Sequence, residues 1–167
     1  VTTIGEWAFA RCRNLTSVTI PDSVTTIGEG AFYYCISLTS ITIPDSVTKI
    51  GESAFYGCTS LADIIIPDSV TVVCDWAFNE CESLSRISIP DSVHEIGEGA
   101  FCNAVSLQTV YCYAAKPPFI KSDNSDKSYV FDNTHPNLVI YIPKGARSNY
   151  TNRKNCSPHS HSPGFVV

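Results

Sequence analysis

The chain has 167 residues, of which 44% are hydrophobic and 16% are charged, and its formal net charge is −5. This composition fits one folded domain and excludes an intrinsically disordered chain. No run of 18 apolar residues occurs, so the sequence predicts no transmembrane helix. Residues 1–106 hold 4 basic and 13 acidic residues, whereas residues 107–167 hold 7 basic and 3 acidic ones. The acidic body argues against nucleic-acid binding, because that function needs a basic face.

A 23-residue unit repeats along the first two thirds of the chain, up to Ser106. Each unit is marked by one leucine and one phenylalanine at constant positions, and a fixed period in the twenties is typical of a solenoid. A single unit has too little apolar surface to fold alone, so the units are predicted to stack, each contacting only its neighbours. The leucines are Leu15, Leu38, Leu61, Leu84 and Leu107, and the phenylalanines are Phe9, Phe32, Phe55, Phe78 and Phe101.

The first residues, 1–14, match the second half of a unit, since Val1–Glu6 repeats the string of Val24–Glu29. The strand that would begin this unit is missing. An open end of a solenoid needs a cap to stay soluble. We therefore expect either further repeats upstream in a longer parent protein, or weak self-association of an otherwise monomeric chain through this N-terminal face.

Each of the four full units begins with alternating apolar and polar residues, as in Ile41, Thr42 and Ile43. This alternation predicts a strand with one buried face, and strands that recur at a fixed period pair in parallel about 4.8 Å apart. Pro44 ends the strand, because proline cannot donate to a ladder. The segment Glu52–Cys58 has room for about two short helical turns on the opposite side. The predicted fold is a repeat solenoid, mainly β or α/β.

The unit L-T-S-I-T-I-P-D-S-V-T-x-I-G-E-x-A-F-x-x-C closely resembles the BspA-like leucine-rich repeats, a class that also occurs in treponemal surface proteins. The resemblance covers residues 1–106, as one partial and four full repeats. It implies a right-handed leucine-rich-repeat coil with one parallel strand per rung. It also implies a cell-surface or secreted protein that acts in adhesion by binding a host or bacterial surface protein.

The segment 107–151 is predicted to cap the solenoid. Leu107–Tyr113 reads as a last strand, and Val130 and Phe131 are candidates to anchor the segment to the core. A second strand is predicted at residues 138–145. The string I-P-K-G-A followed by a tyrosine, here Tyr150, resembles the C-terminal cap of the same repeat proteins, in which a short helix follows the strand.

The last residues, 152–167, read as a polar tail that is predicted to be loosely ordered unless Phe165 and Val166 dock on the core. A metal site in this tail is the alternative interpretation. Its ligands would be Cys156, His159 and His161.

Four cysteines recur with the period, and the fifth rung has Ala104 at the same position. Because alanine substitutes there, we predict free buried thiols. Disulfides between neighbouring rungs are the alternative, since a spacing of about 5 Å is within their reach. Cys74 and Cys112 are predicted to point inward, whereas Cys102 falls at a tyrosine position and is predicted to be exposed. The periodic cysteines are Cys12, Cys35, Cys58 and Cys81.

Two acidic residues recur in nearly every rung. The aspartates of the P-D-S turns are predicted to accept backbone N–H bonds, and the second row is predicted to lie near a helix start, where negative charge is favoured. Calcium bridging is the alternative, but one carboxylate per rung supplies too few oxygens for six to eight ligands. The rows are Asp22, Asp45, Asp68 and Asp91, and Glu6, Glu29, Glu52, Asp75 and Glu98.

The outward strand positions differ most from rung to rung. Upstream they are serine and threonine, whereas downstream they combine charged, apolar and aromatic side chains, as protein-binding patches do. Ordinary variation of a surface is the alternative. The candidate ligand-binding residues are Asp63, Ile65, Arg86, Ser88 and Tyr111.

Aromatic residues also gather on the predicted turn side, where two tryptophans replace the small residues of other rungs. They either pack along the edge of the solenoid or form a carbohydrate or protein contact. A carbohydrate-binding module is therefore one alternative function, and a spacer that binds nothing is another. The aromatic residues are Trp7, Trp76, Tyr33, Tyr34 and Tyr56.

The string Asp91-Ser92-Val93-His94 is the one candidate for catalysis. Asp-Ser-Val recurs in every full rung, so these residues belong to the repeat rather than to an active site. The sequence also contains no phosphate-binding loop, paired-histidine metal motif or nucleophile elbow. We therefore predict neither an enzyme nor a bound cofactor or metal.

Overall fold

The computed structural model describes residues 1–121, 129–151 and 164–166. Within these ranges the chain forms the predicted parallel-strand solenoid, with one turn of the coil per 23-residue unit. Its interior is one continuous apolar core that runs from the first rung to the C-terminal segment.

The predicted strands of successive rungs lie side by side along one side of the coil, which we term the strand face, and they pair in parallel within two sheets, one of two strands and one of four. Alternate residues of these strands are buried, as the sequence pattern predicts. The first full rung joins this layer through a single bridge between Thr19 and Thr42. The strands are β3 (Ser40–Thr42), β5 (Asp63–Ile65), β7 (Arg86–Ile89), β9 (Thr109–Cys112), β11 (Val139–Tyr141) and β12 (Gly164–Val166).

A further parallel sheet, which we term the second sheet and which the sequence analysis did not predict, runs along another side of the coil. Each rung contributes two residues to it, and two residues are too few for an alternating pattern to be recognised. Its strands pair in the order β1-β2-β4-β6-β8-β10. They are β1 (Thr3–Ile4), β2 (Thr26–Ile27), β4 (Lys49–Ile50), β6 (Val72–Val73), β8 (Glu95–Ile96) and β10 (Phe119–Ile120).

The side opposite the strand face, which we term the turn side, consists of hydrogen-bonded turns rather than regular helix. The backbone N–H groups alternate between two kinds of acceptor. The N–H of Ala31 bonds within its own rung to Gly28, at 3.3 Å, whereas the N–H of Phe32 bonds to Ala54 of the next rung, at 2.8 Å. Two positions per rung adopt left-handed backbone angles, for example Trp76 and Glu80, each with φ of 58°.

The phenylalanine of each rung stacks on that of the next. The ring centroids lie 5.3 to 5.5 Å apart and the planes are within 8° of parallel. The ladder continues beyond Phe101 to Phe131, and Val130 is buried beside it, so the predicted anchoring of these two residues is confirmed.

The described cysteines are free thiols, as predicted. Three of the periodic row are also buried and hydrogen-bond to the preceding rung, whereas Cys12 of the first rung is exposed, so the predicted burial is wrong there. The Sγ of Cys58 donates to the carbonyl of Phe32 at 3.2 Å, and Cys35 and Cys81 make the equivalent bond. Burial raises the pKa of Cys35 to about 11. Cys112 is buried as predicted, but the predicted exposure of Cys102 is wrong.

The C-terminal segment closes over the core through its tyrosine. The helix α1 (Arg147–Thr151) carries Tyr150, which is buried and donates through its hydroxyl to the carbonyl of Ala114 at 2.6 Å. Cys112 Sγ lies 3.0 Å from the same hydroxyl. The backbone of β12 pairs in parallel with β11. The proposed metal ligands of the tail lie outside the described residues, and the domain boundaries at 106 and 151 stay predictions.

The turns after the strands are held by serine rather than by aspartate, which corrects the prediction for the P-D-S motif. The hydroxyl of Ser69 donates to the carbonyl of Val47 at 2.6 Å, and three other rungs repeat this bond. The carboxylates of the aspartate row are exposed and accept no hydrogen bond from any described residue. Their role in the turn is therefore not the one predicted.

Candidate functional site

The strand face brings the five predicted ligand-binding residues onto one surface. Asp63 and Ile65 lie on β5, Arg86 and Ser88 on β7, and Tyr111 on β9. Each points outward, because the residue between each pair is buried in the core. Ile65 is 71% exposed, and Ser88 lies directly opposite Tyr111 in the register of the two strands. That these residues bind a ligand stays a prediction.

The two charged members of this group are available to a partner. Asp63 and Arg86 are exposed on consecutive rungs, and they form no ion pair with each other. Among the described residues the one salt bridge joins Lys121 to Asp75, at 2.7 Å, on the second sheet. A ligand that paired with Asp63 or Arg86 would therefore break no ion pair of the described chain.

Two further tyrosines, which are not among the five predicted binding residues, extend this surface. Tyr141 of β11 lies opposite Tyr111, with ring centroids 5.0 Å apart, and Tyr113 follows Tyr111 on the same face. Tyr113 is 61% exposed. The signal for Tyr113 was the alternation that already placed Tyr111 outward. Tyr141 was harder to find, because it comes later in the chain than the period of the repeat predicts.

The strand face is not flat, since two depressions lie on it. One, of about 300 Å³, lies between β3 and β5 and is bordered by Asp63 and Ile65. The other, of about 320 Å³, lies between β9 and β11 and is bordered by Tyr111, Tyr113 and Tyr141. Side chains from a partner therefore have places to insert at both ends of the predicted site.

On the turn side the two tryptophans cover glycines of the next rung. The ring of Trp7 lies over Gly30 and that of Trp76 over Gly99, so closely that an added Cβ would fall 2.2 and 2.3 Å from ring atoms. Trp7 is still 46% exposed. The period explains this arrangement, because a tryptophan in one rung needs a glycine in the following rung.

The turn-side tyrosines are bonded to one another through an acidic residue. Tyr34 and Tyr56 both donate to the carboxylate of Glu80, at 3.0 and 2.8 Å. Desolvation by burial, followed by these hydrogen bonds, raises the pKa of both hydroxyls. Tyr33 packs against both rings and against Trp7. This cluster has its own structural function, which favours the packing interpretation over a glycan site.

The repeat is also recognised by comparison with known families. The model of the BspA type leucine rich repeat region matches residues 2–135, in six copies. The chain belongs to this family. Among curated proteins none matches the sequence of this BspA-type repeat protein significantly.

Solved structures of bacterial leucine-rich-repeat proteins are similar to this BspA-type chain. One from T. pallidum is 29% identical with a TM-score of 0.65, and covers 76% of this chain and 68% of its own. A leucine rich cell surface protein from Faecalibacterium prausnitzii is 29% identical, with a TM-score of 0.67. A leucine-rich repeat protein from Bacteroides ovatus is 30% identical, with a TM-score of 0.60. The matches cover 86% and 85% of this chain, but only 45% and 43% of those proteins.

Other surfaces of this BspA-type protein carry charge without a defined ligand. A groove of about 600 Å³ follows the second sheet and is lined by carboxylates together with Lys49 and Lys121. Nowhere in residues 1–121, 129–151 and 164–166 do three or more histidine, cysteine or acidic side chains gather as metal ligands. No helix formed by the described residues is long and apolar enough to cross a membrane.

Proposed function

We propose that this BspA-type repeat protein is a cell-surface or secreted binding module, which adheres to a host or bacterial surface protein through its strand face. The proposed binding residues are Asp63, Ile65, Arg86, Ser88 and Tyr111. The observation that carries the proposal is the exposure of a large apolar side chain, Ile65, beside the charges of Asp63 and Arg86, neither of which forms an ion pair with a described residue. Interfaces combine such apolar anchors with charges that select the partner.

The proposed location rests on the similar proteins. The Faecalibacterium prausnitzii protein is described as a cell surface protein. A solenoid of stacked rungs also suits this location, because it presents an extended surface whose residues can vary without changing the fold. Secretion or surface attachment of this chain can be tested by immunolabelling of intact cells that express the parent protein.

A binding screen tests the function. The chain is immobilised and exposed to extracellular-matrix proteins, bacterial surface proteins and a glycan array, beside a variant with Asp63→Ala, Arg86→Ala and Tyr111→Ala. We expect a surface protein to bind the unaltered chain and not the variant. The matched control replaces the outward residues of an upstream rung, Ser40→Ala and Thr42→Ala, and should bind like the unaltered chain.

Two results would contradict the proposal. Binding to no surface protein would favour a spacer. The observation that supports a spacer is that the same backbone and serine hydrogen bonds recur from rung to rung. Binding to glycans alone, unaffected by the strand-face variant, would favour a carbohydrate-binding module. Circular dichroism of each variant establishes that lost binding does not come from lost folding.

A further inference from the structure

A groove crosses the last strands of the strand face, and we infer that it binds an extended proline-rich peptide segment with acidic flanks. The inference rests on the proposed function and deepens it, because it names the class of protein segment that the strand face would bind. The groove has a volume of about 320 Å³. Its lining, which we term the tyrosine groove, consists of Tyr111, Cys112, Tyr113, Tyr141, Ile142 and Pro143.

Two pairs of side chains form the ridges of the tyrosine groove. Tyr111 and Tyr141 face each other across β9 and β11, and their rings stack with an interplanar angle of 20°. Continued two residues beyond the paired strands, the same register sets Tyr113 beside Pro143. Side chains two residues apart on a strand stand about 7 Å apart, so the ridges are separated by about that distance. The buried residues between them form the floor.

Upstream, the same two rows of positions do not form tall ridges. The row of Tyr111 continues as Ser88 and Ile65, and the row of Tyr113 continues as the prolines that end each strand, such as Pro90. Pro90 is buried, whereas Tyr113 is 61% exposed. The aromatic groove is therefore confined to the last rungs and is not a general property of the repeat.

The shape and chemistry of this groove fit a polyproline II helix. Proline-rich segments dock in grooves lined by aromatic rings. A spacing of about 7 Å leaves room for one such ring between the ridges. The peptide is already extended before it binds, so little conformational entropy is lost.

The tyrosine hydroxyls supply the hydrogen bonds that such a peptide lacks. No described residue forms a hydrogen bond with the hydroxyl of Tyr111, Tyr113 or Tyr141. The backbone carbonyls of a polyproline II helix have no internal partner, so each can accept a bond from a hydroxyl at the rim. The donors of the groove and the acceptors of the peptide are therefore complementary.

A sugar fits the same groove less well. Sites for polar ligands place several polar side chains around the ligand, and a sugar presents many hydroxyls to be bonded. The tyrosine groove contains no amide or charged side chain, and its one thiol, Cys112, is buried against Tyr150. A tyrosine of the groove can contact a sugar ring, but the groove offers few hydrogen-bond partners to the hydroxyl groups of the sugar.

The charge beside the groove favours acidic flanks, because two lysines lie close to its lining residues in the chain against one carboxylate, that of Asp91. This carboxylate is close enough to add to the effect of burial, which raises the pKa of Cys112. Lys144 follows Pro143 directly, and Lys116 lies three residues beyond Tyr113. Both lysines are exposed, and neither forms a salt bridge with a described residue. Complementary charge at the rim of an interface raises the association rate and excludes partners of the wrong sign. A peptide with acidic residues beside its prolines is favoured over a basic one.

Fluorescence polarisation with synthetic peptides tests the inference. The probe is a labelled polyproline peptide with glutamates at both ends, and its control has the same ends with glycine and serine in place of proline. We expect the probe to bind at least about tenfold more tightly than the control, and the double variant Tyr113→Ala, Tyr141→Ala to lose about tenfold in affinity. Phe119→Ala removes an exposed aromatic from the second sheet and should change nothing.

A charge reversal tests the flanks separately. Lys144→Glu should weaken the glutamate-flanked probe and strengthen a lysine-flanked one. Unchanged affinities for both peptides would overturn the acidic flanks. Equal binding of probe and control, no binding of either, or affinity unaffected by the tyrosine variant would overturn the proline-rich ligand.

The test separates this inference from the proposed function. A surface protein that depends on Asp63 and Arg86 but not on Tyr113 and Tyr141 would leave the proposed function standing and overturn the groove assignment. A probe that binds while every surface protein fails would support the groove and contradict adhesion to those proteins. A glycan that competes with the probe would assign the groove to a sugar instead.

Discussion

The turn side and the strand face share one backbone period, but they differ in how their residues are used. On the turn side the phenylalanine rings stack through six rungs, and backbone donors alternate between their own rung and the next. On the strand face the outward residue changes from serine to aspartate to arginine while the parallel strands continue. Stability therefore comes from positions that do not vary, which leaves the strand face free to vary for recognition.

The largest effect should come from breaking the ladder of the turn side. Phe55→Ala removes a fully buried ring that is stacked on both sides, and we expect the free energy of unfolding to fall by about 3–5 kcal/mol. Urea denaturation followed by circular dichroism measures the change. The matched control is Phe119→Ala, where the ring is exposed and the loss should stay below about 0.5 kcal/mol. Similar losses in both variants would contradict the role of the ladder.

The next effect tests the pairing of tryptophan with glycine. Gly99 has φ of 59°, and an added Cβ would lie 2.3 Å from the ring of Trp76, so Gly99→Ala should cost about 2–3 kcal/mol. In a Trp76→Ala background the steric part disappears, and only the cost of a left-handed alanine, about 1 kcal/mol, should remain. A double-mutant cycle in urea measures this coupling. Additive losses would show that the ring does not restrict this position.

A smaller effect, which depends on pH, should come from the buried thiols. Burial raises the pKa of Cys35 to about 11 from the ordinary 9.0, so the folded chain holds its proton more tightly than the unfolded chain. This stabilisation is complete below pH 9 and is lost as the pH rises towards 11. Unfolding free energies between pH 8 and 11 should therefore fall less steeply in Cys35→Ala than in the unaltered chain. Parallel curves would contradict the assignment.

The smallest effect on stability should come from the strand face. Ile65→Ser exchanges an outward side chain that is 71% exposed, so the free energy of unfolding should change by less than about 0.5 kcal/mol. The same variant should bind the surface partner more weakly than the unaltered chain does. A loss above about 1 kcal/mol, measured by urea denaturation, would show that Ile65 supports the fold.

The solenoid was predictable from sequence, because each core position recurs from rung to rung and the alternation in Ile41–Ile43 places the strand. The second sheet was not, since its strands are two residues long and carry no alternation. Nor was the contact of Tyr34 and Tyr56 with Glu80. The period places Tyr34 and Glu80, which are 46 residues apart, at the same position two rungs apart, but it does not show that Tyr34 reaches across Gly57 of the rung between them.

The candidate site was predictable only as far as the period extends. The positions of Asp63, Arg86 and Tyr111 follow from the register of a 23-residue repeat, and the structure places them on one face. Tyr141 lies opposite Tyr111 but more than 23 residues after it, so extrapolation of the repeat does not find this last outward position. The depth of the tyrosine groove also depends on how far each ring rises above the sheet, which spacing alone does not specify.

The phenylalanine ladder has a practical consequence for engineering. Successive rings keep the constant period of the repeat up to Phe101, yet Phe131 takes its place in the same stack after a longer stretch of chain, at 5.5 Å. The additional residues of this rung therefore fall between Ile120 and Val130. Ile120 still pairs with Ile96, and the carbonyl of Val130 still accepts a hydrogen bond from the N–H of Phe101. Foreign epitopes grafted at this step would be displayed on a scaffold whose length can be chosen by the number of units behind it.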